Sequence, residues 1–365
     1  MSQQTVQILV DIVKLSIVAS VIMGIFVFIL LVERKLIGRF TRRYGPNRVG
    51  PFGLLQSIAD AIKMMLKEEM VPGHVNKIVY VIAPGMALMS ALSVFAVIPF
   101  ARDTITLPLE SLIGFSVILT PWVADVNVGV LYLLAVGTLG SYGIILGGWS
   151  SNNKYSLLGA LRTSAQMLSY ELPLGVAILS VVVMTGTLRV TEIVEWQTQF
   201  AGFAWLAFLQ PIAFLIFFIS ALAESGRAPF DLPETENELI SGFMTEYGAL
   251  KFGLFQAAEF VHAMMFCTIT VTIFLGGWNL PFLNEILSVL PSPIQALAPV
   301  IHVGIFIGKS LVVYCSLIWI RASVPRMRFD QLMAFCWKWL LPIALLNLLV
   351  TVFVLAIIAE LLGLW

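Results

Sequence analysis

Residues 225–246 gather Asp231, Glu234, Glu236, Glu238 and Glu246 around one nearby base, Arg227. Five of the chain's 21 acidic residues thus fall in one short segment of a largely apolar chain. Carboxylates this close repel one another and titrate as a coupled set, so they are suited to taking up and passing on protons. They are also expensive beside hydrocarbon, about 2.5–3.5 kcal/mol each at a helix centre. The chemistry to expect is proton handling at a membrane surface.

A second charged segment comes early. It reads Glu33-Arg34-Lys35, then Arg39, Arg42 and Arg43, then Tyr44-Gly45-Pro46-Asn47-Arg48-Val49-Gly50-Pro51-Phe52-Gly53. Basic residues at a helix end anchor a membrane helix, but closely spaced glycines and prolines also fix an irregular turn. Neither reading accounts for Glu33 at the membrane edge. Other acids fall inside apolar stretches: Glu171 at the start of the fourth and Glu259 at the start of the sixth, with Asp125 placed to cap the third. Burial makes such carboxyls easy to protonate, so an intramembrane acid points to function, while a carboxylate at a helix N-terminus can simply offset the dipole. Lys309, within the seventh stretch, snorkels, pairs or takes part in transfer.

The elements that must position these groups follow from hydropathy. The chain is 59% hydrophobic and 12% charged, far from a soluble domain. A bilayer core of about 30 Å needs roughly 20 apolar residues in a helix. Eight such runs occur, at about 7–32, 75–100, 127–148, 164–186, 202–223, 256–277, 297–320 and 338–362. The expected fold is an all-α polytopic bundle of eight transmembrane helices, one integral membrane domain over residues 1–365. Residues 101–121 are rich enough in Leu, Ile and Phe to allow an extra helix at about 108–121. Residues 54–67 place Leu54, Leu55, Ile58, Ile62, Met65 and Leu66 on one stripe, which predicts an amphipathic helix lying at the interface.

Seventeen of the 21 Lys and Arg fall in the loops 33–77, 151–163, 224–255 and 321–338. The positive-inside rule puts those loops in the cytoplasm, or its matrix equivalent, and both termini on the opposite side, which is the periplasmic side if the membrane is a bacterial inner membrane. The acidic segment and the basic 33–48 segment then share one side. Cys267, Cys315 and Cys336, like the three histidines, lack metal-ligand or disulfide spacing. Neither a P-loop nor a dinucleotide fingerprint is present. A metal site, nucleotide chemistry and nucleic-acid binding are not expected, and redox centres would have to belong to partners.

Five motifs carry a resemblance. They are Glu33-Arg34-Lys35; residues 45–56, Gly-Pro-Asn-Arg-Val-Gly-Pro-Phe-Gly-Leu-Leu-Gln; residues 154–162 running on to Ser169-Tyr170-Glu171; residues 227–234, Arg-Ala-Pro-Phe-Asp-Leu-Pro-Glu, running on to Thr245-Glu246-Tyr247; and Phe274-Leu275-Gly276-Gly277-Trp278. In this order, over roughly residues 25–345, they resemble the H-subunit family of proton-pumping NADH:quinone oxidoreductase, respiratory complex I. The resemblance implies an eight-helix membrane subunit that forms a quinone chamber and begins a proton path. Quinone would be substrate, with FMN and iron–sulfur clusters held by partner subunits. Those partners would be hydrophilic-arm subunits on one side and small membrane subunits leading to antiporter-like pumps on the other. By the same likeness Glu33, Arg34, Arg43, Asp60 and Arg227 would line or gate the quinone chamber. Glu171, Asp231, Glu234, Glu236, Glu238, Glu246 and Glu259 would form the acidic path.

The sequence departs from the family pattern at Phe260 and His262, where Tyr and Asn are usual beside the sixth-helix glutamate, and at Gln256 in what is usually an aromatic run. The alternatives are the homologous membrane subunit of a hydrogenase or formate-hydrogen-lyase-type complex, a stand-alone antiporter, and a passive scaffold. The complete basic turn favours the quinone enzyme over the first. The antiporter would be expected to show an inverted repeat, and none is evident.

Overall fold

The computed structural model describes residues 3–102, 105–107, 117–120, 122–199, 202, 204–231, 241–283, 285 and 297–361. Within them, α1 (Gln3–Phe40) is followed by a short 3-10 turn and by α2 (Gln56–Leu66). Helices α3 (Lys77–Val94), α4 (Gly129–Ser150), α5 (Lys154–Thr185) and α6 (Val190–Gln197) come next, with α3 and α4 separated by a β-hairpin. The chain continues through α7 (Leu206–Leu209), α8 (Pro211–Glu224), α9 (Ala249–Phe274) and α10 (Ala298–Ser323). It ends with α11 (Phe329–Phe335), which passes through one π turn into α12 (Leu341–Leu361).

Seven helical spans among the described residues are long and apolar enough to cross a membrane, and α8 is a shorter apolar helix. Each of the eight predicted runs therefore meets a helix. In the fifth, Pro211 at the first helical position and the non-helical Gln210 before it divide α7 from α8. Residues 54–67 do contain the expected interfacial helix, α2, with Ile58, Ile62, Met65 and Leu66 exposed along it.

Helix boundaries differ from the hydropathy runs in an informative way. Helix α5 begins at Lys154, well before the apolar run at 164, and α9 begins at Ala249 rather than 256. Glu171 and Glu259 consequently sit mid-helix, not at helix starts, so offsetting a helix dipole does not explain either. Hydropathy marks where a helix enters hydrocarbon, whereas backbone bonding continues through polar turns beyond it. Asp125 does not cap a helix either: Val128 precedes α4 without a side-chain cap, and Asp125 accepts from Thr191 at 3.2 Å and pairs with Arg189 at 3.6 Å. The extra helix expected at 108–121 is not what the described part shows. Val117–Leu119 is a strand pairing antiparallel with Ile105–Leu107, whose β-branched residues favour extended backbone; residues 108–116 lie outside the described residues.

Helix α9 is the axis of the bundle, with every residue from 261 to 274 buried. Around it, α1, α3, α4, α5, α8 and α10 contribute to one apolar core. Helices α3 and α4 approach backbone to backbone: a Cβ on Gly143 would stand 2.8 Å from the Ala87 nitrogen and 3.0 Å from the Ala83 carbonyl oxygen. A second, smaller core lies near the start of α3, where Tyr80, Phe243, Tyr247 and Phe255 meet. Outward faces of α1 and α12 expose Ile17, Val21 and Phe28, and Leu349 and Phe353, as hydrocarbon-facing helices do.

Candidate functional site: a buried charge network

Glu33 lies near the end of α1 and is only 3% exposed. One carboxylate oxygen accepts from Arg227 at 2.6 Å and from Arg321 of α10; the other accepts from the Tyr314 hydroxyl at 2.7 Å. Arg227, on the loop after α8, also lies over the Phe260 ring of α9, 4.1 Å from its centroid. Burial works against the Arg227 charge, but the Tyr314 and Glu33 oxygens outweigh it and hold the guanidinium above its ordinary range. Two cations and a phenol thus saturate one buried carboxylate, tying α1, α9, α10 and the 225–231 loop together.

Beside this knot, Arg34 pairs with Asp60 of α2, whose second oxygen accepts from Gln56 at 3.0 Å. Lys35 donates to the Phe52 carbonyl. The turn that sets α2 against α1 depends on Gly53: its φ is +77°, and a Cβ there would fall 2.2 Å from the Pro46 carbonyl oxygen. Only glycine fits that close approach. Arg43 is exposed on the same loop, outside the knot.

Two of the expected acids, Asp231 and Glu246, are held by named partners. Asp231 is buried and pairs with Arg326 at 2.6 Å. Glu246 accepts from Asn153 at 2.7 Å, while its backbone carbonyl accepts from the Tyr80 hydroxyl at 2.7 Å. Tyr80 stacks on Tyr247 with centroids 4.1 Å apart, and burial pushes the Tyr247 phenol above its usual range. Glu234, Glu236 and Glu238 lie outside the described residues.

Deeper in the bundle are Glu171, Glu224 and Glu259. Glu171 and Glu224 line one small cavity, and Glu224 and Glu259 line the next, together with His262 and Gln166. Gln166 donates to the Ala223 and Phe230 carbonyls, both at 2.7 Å, and so fixes the end of α8 that carries Glu224. Sequence reasoning passes over Glu224. Its one signal is its position, an acid closing an apolar run immediately before the Ser225-Gly226-Arg227 motif. Tyr314, Arg321 and Arg326 are missed as partners too, since nothing local marks them.

Lys309 pairs rather than snorkels. Its ammonium donates to the carbonyls of Leu275 at 2.6 Å, Gly277 at 3.1 Å and Asn279, and lies 4.6 Å from the Trp205 ring centroid. It therefore caps the C-terminal end of α9 from α10. A larger apolar cavity of about 390 Å³ lies between α1, α9 and α10, lined by Ile22, Ile29, Met264, Phe306 and Tyr314 among others. Tyr314 thus faces this cavity and bonds Glu33. No cluster of three metal-ligating side chains occurs among the described residues.

A family model described as NADH dehydrogenase matches residues 13–352. Among relatives, an H subunit of NADH-quinone oxidoreductase from Syntrophobacter fumaroxidans is 45% identical over 347 residues, covering 95% of this chain and 96% of that one. Its counterpart from Geobacter sulfurreducens is 47% identical over 349 residues, covering 92% and 94%. The counterpart from Deinococcus deserti is 46% identical over 341 residues, covering 93% and 82%. Agreement of this kind along nearly the whole chain, with the charged motifs on one folded network, identifies a multi-pass membrane protein that belongs to the NADH dehydrogenase family of NADH-quinone oxidoreductase H subunits.

Proposed function

We propose that this chain is the membrane subunit of a proton-translocating NADH:quinone oxidoreductase that forms the quinone chamber and starts the proton-coupling path. The observation that carries the reading is a succession of buried and half-buried charged groups. It runs from Glu33 through Arg227 and its ring contact with Phe260 to Glu259 on the same helix, and then, along two adjoining cavities, to Glu224 and Glu171. A quinone reaches the protein from the bilayer, and the apolar space between α1, α9 and α10 suits an isoprenoid chain. Its head group is reduced on the side of the basic loops, near Glu33, Arg34, Asp60 and Arg227, with Arg43 at the entrance. Electrons come from a hydrophilic-arm partner that holds FMN and iron–sulfur clusters, because the sequence encodes no such centre.

Reduction places negative charge beside Arg227. Glu33 shares that arginine, so the charge weakens the knot and alters how the 225–231 loop is held. Asp231, Glu234, Glu236, Glu238 and Glu246 lie along that loop and its continuation, and a change in their spacing changes how many protons they hold as a set. Glu171, Glu224 and Glu259 carry the resulting proton shift into the bundle toward neighbouring membrane subunits. The chain sits in the bacterial inner membrane with both termini on the periplasmic side.

The test begins with a C-terminal tag, mild extraction and identification of co-purifying subunits, assayed for inhibitor-sensitive NADH:quinone reduction. Flavin and iron–sulfur partners with that activity are expected, and in that complex Glu246→Gln lowers quinone reduction and proton pumping together. A nickel–iron partner without quinone activity would move the chain to the hydrogenase branch. A lone homo-oligomer would make it a transporter.

A further inference from the structure

One cavity of about 30 Å³ is walled by α3, α4, α5, α8 and α9. Three side chains that line it each keep a buried polar atom without a hydrogen-bond partner among the described residues: Gln166 Oε1, Glu224 Oε2 and His262 Nδ1. Gln166 spends its amide nitrogen on two carbonyls, which leaves its Oε1 for the cavity. A buried polar group left unmatched costs about 1–3 kcal/mol, so three facing one space need a common partner. A water needs about 10–15 Å³ and two to four polar partners, and this cavity offers both for about two waters.

We propose that the cavity is a hydrated proton station in which His262 relays protons between Glu259 and Glu224. This rests on the proton-path reading above and adds a residue to it. With the ring proton on Nε2, the unpartnered Nδ1 is the acceptor. A proton leaving the Glu259 carboxylic acid crosses one water to Nδ1 and forms an imidazolium. It then departs from Nδ1 through the second water to the Glu224 carboxylate, so the imidazole returns neutral with Nε2–H unchanged. Glu224 on α8 lines this space together with His262 on α9, Glu259 stands three residues before His262 on the same helix, and Glu171 of α5 shares the adjoining cavity with Glu224. Helix α4 makes room for the ring at Gly140, where a Cβ would stand 2.5 Å from His262 Nε2.

The test uses the whole complex in liposomes, with NADH:quinone reduction and lumen acidification as readouts. His262→Ala is expected to slow both by at least about tenfold. Imidazole added to the medium restores the rate, whereas pyrazole, equal in shape but far less basic, does not. Full activity of His262→Ala overturns the relay. So does restoration by both heterocycles or by neither, since either outcome leaves the ring a purely structural part. If His262→Ala does not assemble, His262→Asn replaces it: its amide stays polar and can still donate a hydrogen bond but cannot carry a proton. It must be comparably slow, and full activity again overturns the relay. Glu224→Gln separates the two levels. A fast Glu224→Gln enzyme sinks the acidic path itself, whereas a slow one beside a fast His262→Ala enzyme sinks only the relay.

Discussion

Two buried carboxylates in this molecule live in opposite circumstances. Glu33 has three donors on its two oxygens, and Arg227 among them is itself backed by an aromatic face. Glu224 keeps an oxygen with no partner among the described residues, beside two other orphaned polar atoms. The first arrangement holds four parts of the chain in one geometry. The second holds nothing in place and costs stability, so its persistence needs a reason other than architecture. The contrast separates a saturated clamp at Glu33 from an unsatisfied acid at Glu224.

The comparison breaks most readily at Glu33. Glu33→Gln leaves buried Arg227 without its full counter-charge, a change that costs about 3–5 kcal/mol when one member of a buried pair is lost. A clear fall in the thermal midpoint of the detergent-extracted complex, with loss of quinone reduction, is expected; a parental midpoint would show that the knot is no clamp. Lys309 is a second saturated ion, and Lys309→Met removes charge-assisted bonds worth about 1.5–3 kcal/mol each in isolation. Its midpoint should also fall, while the quinone KM stays near that of the parent, because Lys309 grips the C-terminal end of α9, away from Phe260 and the knot. At Glu224 the sign changes: Glu224→Gln removes a buried acid, so the midpoint holds or rises even as turnover drops. A midpoint that falls with Glu33→Gln and with Glu224→Gln alike would erase the distinction. The smallest effect belongs to Asp60→Asn. Its half-exposed pair with Arg34 contributes at most about 1 kcal/mol, so the midpoint barely moves, and any consequence should show as a raised quinone KM that grows at low salt.

The seven long apolar helices, the shorter α8 and the amphipathic α2 are legible in the sequence, because hydrocarbon length and helical periodicity are local properties. So are Glu33, Arg227, Asp231 and Glu246, all embedded in long motifs. Partnership is not. Tyr314 and Arg321 reach Glu33 across 281 and 288 residues of chain, and nothing near either residue announces the contact. The apolar runs put Glu171 and Glu259 at helix starts, although backbone bonding begins a turn or more earlier. The 105–107 and 117–119 hairpin is hidden by the same kind of ambiguity, since a short apolar segment reads as helix or strand alike.

The attachments of α10 have a mechanical consequence. Midway along it, Lys309 grips the carbonyls of the turn that immediately follows α9; further on, Tyr314 and Arg321 grip Glu33, which Arg227 connects to the Phe260 face of α9. The two helices resemble the rails of a ladder with two rungs, so neither can slide along the other without breaking both. Any stroke transmitted through this subunit must therefore bend the stretches beside the rails, the 225–231 loop and the 241–248 turn, while the rails travel as one rigid piece.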